Sequence, residues 1–289
     1  MDRFTARQNA PSLLPRRARE SSKHDYGRLL IVGGSVGYSG APTLASRAAV
    51  RAGAGLVHLA VPRDIYTIAA VKNDEAMVMP VECDAEGVMS SAAIPELERT
   101  LSRCGVLAMG PGFGRSEGVI ELVRSLAGGT NARVVLDADA LWAVGRLGED
   151  FLASLAKPAV LTPHEGEFVN HLGGSLEPGR LEAARQYAVK KRCILALKGA
   201  NTAVAFPDGK TYVNHSGNPG LARGGSGDAL TGIMGALLCQ FTAEKAVPLA
   251  VYLHGLAGDL AAEVKGEYGM TITDVIEALP EAMKLITEE

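Results

Sequence analysis

Along most of the chain, short apolar runs of the length expected for buried parallel strands alternate with Ala-rich stretches at helical spacing. This rhythm predicts strands over residues 28–32, 56–61, 106–109, 133–136, 159–161 and 193–198, most of them closed by glycine, proline or a polar residue. Helices are expected over 41–52, 181–191, 228–240 and 245–265. Apolar runs at 202–206 and 211–213 flank Pro207-Asp208-Gly209-Lys210, and Asp-Gly between such runs signals a hairpin because glycine tolerates positive φ. The expected fold class is therefore α/β: a mostly parallel central sheet, helices on both faces, and an antiparallel hairpin at one edge. Residues 1–27 hold Pro11, Pro15 and Arg16-Arg17-Ala18-Arg19 without either periodicity. They are expected to form a loosely ordered leader before a single domain spanning 28–289. No internal repeat, heptad run or low-complexity tract is present.

Composition narrows the class. Lys+Arg 29 against Asp+Glu 32 leaves a net charge of −3, so no overall positive field attracts nucleic acid or anionic lipid. Cys83, Cys104, Cys193 and Cys239 form neither a CxxC pair nor a metal-ligand spacing, which fits a reducing, cytoplasmic setting. The charged N-terminal residues have no apolar stretch behind them, so no secretory signal is expected. The longest charge-free apolar run, 229–241, falls short of the roughly 18 to 20 residues needed to cross a bilayer. The 34 glycines are the outlier against an average of about 7 %.

In an open α/β sheet, ligands sit beyond the carboxyl ends of the strands, so the loops there converge. Gly33-Gly34-Ser35-Val36-Gly37-Tyr38-Ser39-Gly40-Ala41 is not GxGxxG, and GxxxxGK[ST] is absent from the chain. A glycine cradle and a plain tight turn both fit it. Met109-Gly110-Pro111-Gly112-Phe113-Gly114 lets a ligand approach backbone with no Cβ in the way. Asp137 and Asp139 close a strand; such carboxylates hold Mg²⁺ or water, while the favoured reading of Asp139 is a cap on the next helix. Thr162-Pro163-His164-Glu165-Gly166-Glu167 is not HExxH, because Phe168 replaces the second histidine, which excludes a zinc protease. Glu167 either favours the dipole of the helix it starts or orders the water shell of a phosphate-bound Mg²⁺, and His164 is either a ligand contact or a structural histidine. Lys198-Gly199-Ala200-Asn201-Thr202 suits ribose or phosphate contacts, with a solvent-facing lysine as the alternative.

The strongest segment is Gly224-Gly225-Ser226-Gly227-Asp228, which opens an Ala/Leu/Met-rich helix. Its glycines leave the first N–H groups unobstructed, so Gly225, Ser226 and Gly227 form an anion hole for a transferring phosphoryl group. Asp228, expected to be kept ionised by the same dipole, is placed to take a proton from a substrate hydroxyl. Capping by Ser226 is the alternative, but capping does not explain three glycines in four residues.

In this order the motifs resemble the ribokinase-like superfamily, and more narrowly the ADP-dependent NAD(P)H-hydrate dehydratases, which return hydrated NADH or NADPH to the coenzyme. The resemblance runs from about Tyr26 to the C-terminus. It rests on these segments together with Ala52-Gly53-Ala54-Gly55-Leu56 and Asp137-Ala138-Asp139-Ala140-Leu141. It implies that Ala41, Gly112 and His164 contact the (S)-epimer of the hydrate and that Asp228 is the base. It implies further that Lys198, Gly199, Ala200, Asn201, Thr202 and Gly227 hold ADP or AMP. ADP would phosphorylate the C6 hydroxyl, and loss of phosphate would restore the coenzyme and leave AMP. A cytoplasmic homotetramer is likewise implied. Many bacterial relatives carry a fused epimerase domain; 27 residues before the first strand cannot hold one, so a separate epimerase is expected upstream. Ser22-Lys23-His24-Asp25-Tyr26-Gly27 matches the family's opening segment only loosely. The competing readings are an ATP-dependent vitamin or sugar kinase of the same fold, resembling hydroxyethylthiazole kinase, and a nucleotide sensor without turnover. Asp228 argues against the sensor, since binding alone requires no base.

Overall fold

The structure, a computed structural model, describes residues 2–288. Its strands are β1 (Arg28–Val32), β2 (Leu56–Pro62), β3 (Met77–Val81), β4 (Val106–Met109), β5 (Arg133–Leu136), β6 (Val160–Leu161), β7 (Ile194–Leu197), β8 (Ala203–Ala205) and β9 (Thr211–Val213). They form one sheet in the order β3-β2-β1-β4-β5-β6-β7-β8-β9, parallel through β7 and antiparallel across β8 and β9. The expected α/β class, with its edge hairpin, is what the chain adopts. β4 and β7 are buried at every position, as strands covered on both faces must be.

The helices are α1 (Arg3–Asn9), α2 (Gly40–Arg51), α3 (Tyr66–Val71), α4 (Ile94–Leu101), α5 (Glu117–Gly128), α6 (Asp139–Val144), α7 (Phe151–Ser154), α8 (Glu165–Asn170), α9 (Arg180–Lys191), α10 (Ser226–Gln240), α11 (Ala243–Gly269) and α12 (Ile272–Ile286). Alternate β1 side chains serve opposite faces: Leu29 and Ile31 pack with α2, α10, α11 and α12, whereas Leu30 and Val32 pack with α4, α5, α6 and α9. Among the described residues no helix is long and apolar enough to cross a membrane. The predicted helix over 245–265 stops where Gly266 leaves helical conformation at φ 72°. β3, α1, α3, α4, α5, α7 and α12 lay outside the prediction. β3 is a short apolar run, but Pro80 interrupts its strand signal and only Val81 is fully buried, as an edge strand allows.

The segment before β1, expected to be loosely ordered, is instead tied down. Asp2 caps α1 by accepting from the Thr5 amide at 3.0 Å, Ala6 is fully buried, and the Tyr252 hydroxyl donates to the Ala6 carbonyl at 2.6 Å. Leu14 docks beside the end of α12, its amide donating to Ile286 O at 3.0 Å and its carbonyl accepting from the Glu288 amide at 2.9 Å. These anchors are single residues and main-chain groups, which leave no periodic trace.

α2 and α10 cross at very close range: a Cβ on Gly232 would lie 1.9 Å from Ala45 O. Both helices begin at the carboxyl side of the sheet, so their first turns rise together beside the loops that follow β1, β4, β5 and β7.

Candidate active site

Asp137 follows β5 and is 1 % exposed. Its carboxylate accepts from Thr162 Oγ1 and Thr231 Oγ1, each at 2.9 Å, and pairs with Lys198 Nζ at 2.8 Å. Burial opposes its ionised form, but the Lys198 ammonium and the two hydroxyls outweigh that and hold the carboxyl below its usual range. Lys198, just past β7, is likewise kept charged: burial works against the ammonium, while Asp137 and then Glu167, 3.7 Å away, raise it. A Cβ on Gly227 would stand 3.1 Å from Lys198 Nζ, so the first turn of α10 sits directly over this pair.

Gly225, at φ 92°, is the N-cap of α10, and no side chain caps the helix. Ser226 therefore does not close the end; its hydroxyl lies 3.3 Å from Nε2 of the buried His254, whose imidazole is driven down to about 4 by burial and is neutral. The loop leading in is braced from α11. Asp259 accepts from the Gly217 amide at 2.9 Å and from Asn218 Nδ2 at 3.0 Å, and Arg223 donates to Gly220 O at 2.8 Å and to Met270 O. The result is a helix N-terminus with no side chain over it, where the Ser226 amide makes a long contact of 3.4 Å to Arg223 O.

Asp228 is half-buried in that first turn. Burial, reinforced by the Asp137 charge, pushes its carboxyl up to about 7, with Lys198 pulling the other way. The expectation that the helix dipole keeps it fully ionised is thus corrected: near neutrality it is balanced between base and acid, the condition suited to proton transfer.

The favoured reading of Asp139 as a helix cap also fails. α6 is preceded by Ala138 at φ 47° with no side-chain cap, and Asp139 instead reaches back to the loop after β4, accepting from the Gly114 amide and Arg115 Nε at 3.0 Å each. This brace fixes the Gly110–Gly114 loop. Beneath it, main chain meets main chain: a Cβ on Gly110 would fall 1.8 Å from Asp137 O, and one on Gly33 2.4 Å from Pro111 O.

Ala41 and Gly112 meet, since a Cβ on Gly112 would stand 3.1 Å from the Ala41 Cβ. The neighbouring Leu44 lies against Gly225, joining this wall to the head of α10. His164 and Glu167 form a capping box on α8: His164 Nδ1 accepts from the Glu167 amide at 3.1 Å, and Glu167 Oε2 accepts from the His164 amide at 2.8 Å. The imidazole remains largely exposed. A β-bridge between His164 and Lys198 puts the box beside the charged pair.

The Gly199–Thr202 turn depends on a residue the sequence reading missed. Arg180, the first residue of α9, donates to Leu197 O at 3.1 Å and to Ala200 O at 2.5 Å while pairing with Glu165 at 2.8 Å. Asn201, at φ 59°, is held by His215 at 2.9 Å. Neither Arg180 nor Asp259 stands near a motif, so only tertiary contact reveals them.

A mostly parallel sheet whose strand ends face an uncapped, glycine-led helix with an acid in its first turn defines a ribokinase-like protein. A solved ribokinase-like superfamily protein from Enterococcus faecalis superposes with a TM-score of 0.85 at 25 % identity, covering 100 % of this chain and 96 % of that one. The sequence pattern of the family described as NAD(P)H-hydrate dehydratase matches residues 29–281, and the chain belongs to that family. The ADP-dependent (S)-NAD(P)H-hydrate dehydratase of Bacillus subtilis is 33 % identical over 288 residues, 97 % of this chain and 98 % of that one. The structure of the ADP/ATP-dependent enzyme from that organism, co-crystallised with ATP and Mg²⁺, gives a TM-score of 0.81 at 29 % identity, over 98 % and 96 % of the two chains. A bifunctional NAD(P)H-hydrate repair enzyme from Moorella thermoacetica is 43 % identical over 282 residues, 96 % of this chain but 53 % of its own length. The chain thus spans about half the length of several curated relatives it matches.

Proposed function

We propose that this protein is an ADP-dependent NAD(P)H-hydrate dehydratase, acting on the (S)-epimer through its 28–289 region as one catalytic domain. The observation that carries the reading is Asp228, poised near neutrality beside the uncapped head of α10. Asp228 takes the proton of the C6 hydroxyl as that oxygen attacks the β-phosphoryl group of ADP, and AMP leaves. The amides of Gly225, Ser226 and Gly227 receive the transferring charge. Elimination then expels phosphate, a far better leaving group than hydroxide, from C6 together with a proton from C5, and restores the dihydropyridine. Net, hydrate and ADP become coenzyme, AMP and phosphate.

Ala41, Gly112 and His164 form the hydrate side of the pocket in this reading, supported by the Ala41–Gly112 contact and the exposed imidazole of His164. Lys198, Gly199, Ala200, Asn201, Thr202 and Gly227 form the nucleotide side. Mg²⁺ fits as a companion of the phosphates. Among the described residues no three His, Cys, Asp or Glu side chains form a direct metal cage, and Mg²⁺ normally keeps several waters while binding phosphates and one or two carboxylates. Glu167, with one oxygen committed to the cap, is placed to hold such a water through the other. The ion supplies charge neutralisation on the phosphates. A cytoplasmic homotetramer served by a separate epimerase belongs to the same proposal.

The test mixes purified protein with NADH hydrate and Mg²⁺, adds ADP or ATP in parallel, and follows dihydronicotinamide absorbance together with AMP. Recovery of NADH with one AMP per coenzyme is expected with ADP. A stable phosphorylated product formed from ATP would move the assignment to a kinase, and no turnover with either nucleotide would overturn it.

A further inference from the structure

A cavity of about 950 Å³ lies at the opposite end of α2 from Ala41, walled by the second half of α2, the 72–75 loop, the end of α12 and the leader. Seven Lys or Arg side chains line it against three carboxylates, in a protein whose net charge is −3. A concentration of one sign in a concave site focuses field and marks the charge of the ligand it takes.

Lys284 pairs with Glu281 at 3.4 Å, but Arg16, Arg17, Arg47, Arg51 and Lys72 are not spent on carboxylates among the described residues. Arg47, Arg51 and Lys72 make no hydrogen bond or ion pair among the described residues. Arg16 and Arg17 are pinned by main-chain carbonyls, Arg16 Nε donating to Glu288 O at 3.0 Å and Arg17 Nη2 to Gly53 O at 2.6 Å, while the Arg17 guanidinium lies 3.7 Å over the Tyr26 ring. A carbonyl and a ring fix a guanidinium in place without cancelling its charge. Arg47 and Arg51 stand at i and i+4 on one face of α2, where like charges repel and destabilise the helix unless an anion bridges them. Planar guanidinium forks match phosphate oxygens two at a time, and several arginines converging on one hollow match a chain of phosphates better than a single one.

We propose that this cavity is a second anion site, separate from the head of α10, and that its ligand is a small polyphosphate chain, either free or carried on a nucleotide. α2 spans about 18 Å at 1.5 Å per residue, so a ligand held by Arg51 sits a full helix length from Ala41. The site is therefore distinct from the pocket assigned above and does not depend on that assignment.

The test is titration calorimetry of the intact protein with inorganic tripolyphosphate at low ionic strength, repeated with ATP, for wild type, Arg47→Ala/Arg51→Ala and Arg51→Glu. Any phosphate held at α10 is common to all three proteins and drops out of the comparison. Tripolyphosphate binding is expected to weaken at least about tenfold in the double variant and further in Arg51→Glu, and to weaken in wild type as salt is raised. ATP matching tripolyphosphate in its dependence on Arg47 and Arg51 supports a nucleotide-borne chain, while loss confined to tripolyphosphate supports a free one. Thermal melts that coincide in the absence of ligand establish that the variants are folded. Equal affinity and stoichiometry in wild type and the double variant, or no arginine-dependent binding of either probe, would overturn the proposal.

Discussion

In the proposed mechanism the single carboxyl of Asp228 sets both the working range of the site and part of the protein's stability. With its titration near about 7, the base form disappears as pH falls through neutrality, so kcat/KM is expected to drop with an acid limb near pH 7 rather than near 4, where an ordinary aspartate titrates. Asp228→Asn is expected to keep nucleotide affinity within about tenfold while lowering turnover about a hundredfold or more; near-normal turnover would remove Asp228 from the mechanism. The same shift has a thermodynamic side. Because the folded carboxyl binds its proton more tightly than the unfolded one, stability falls as pH rises between about 4 and 7, and urea unfolding at pH 5 and pH 8 should show this slope flattened in Asp228→Asn. The neighbouring ion pair behaves differently. Lys198→Met strands the Asp137 carboxylate in the interior and is expected to cost about 3–5 kcal/mol, with Asp137→Asn/Lys198→Met costing less than the sum of the single changes. At this scale the sequence named Asp228 and Lys198 through their glycine neighbours. It could not rank Asp137 above Asp139, because one is buried against Lys198 and the other turned toward Arg115 only by the packing of four separate strands.

Between elements, the α2–α10 crossing is the joint most sensitive to change. Gly232→Ala pushes a methyl group into Ala45 O, which is main chain and cannot rotate away, so unfolding free energy should fall by about 1–3 kcal/mol or more. Gly224→Ala meets no atom within 4 Å and is expected to stay within about 0.5 kcal/mol of wild type by the same measurement. Equal effects from the two would refute the steric argument. Periodicity made these helices and the parallel strands other than β3 readable, since a buried strand or an Ala-rich helix advertises itself within ten residues. Arg180 bracing Leu197 and Asp259 bracing Gly217 link positions 17 and 42 residues apart, a distance no local pattern records.

Across the whole molecule, the leader works as a strap over α11 and α12. Deleting residues 2–14 uncovers the buried face around Ala6 and strands the Tyr252 hydroxyl, and it is expected to lower Tm by about 5 °C or more, read by calorimetry. A melt unchanged by the deletion would show the strap to be ornamental. The strap was unreadable in the sequence because Pro11, Pro15 and the arginine run give it the look of a tail, whereas its grip comes from two apolar residues and a few carbonyls. The floor of the proposed pocket carries a different implication. Where Gly33 meets Pro111 and Gly110 meets Asp137 with no room for a side chain, inherited change finds nothing to alter except by breaking the fold. Divergence of ligand preference among descendants of this sequence must then enter at the rim, at exposed side chains such as Tyr38 and His164, and a random library selected for new substrates should accumulate its substitutions there while leaving the floor untouched.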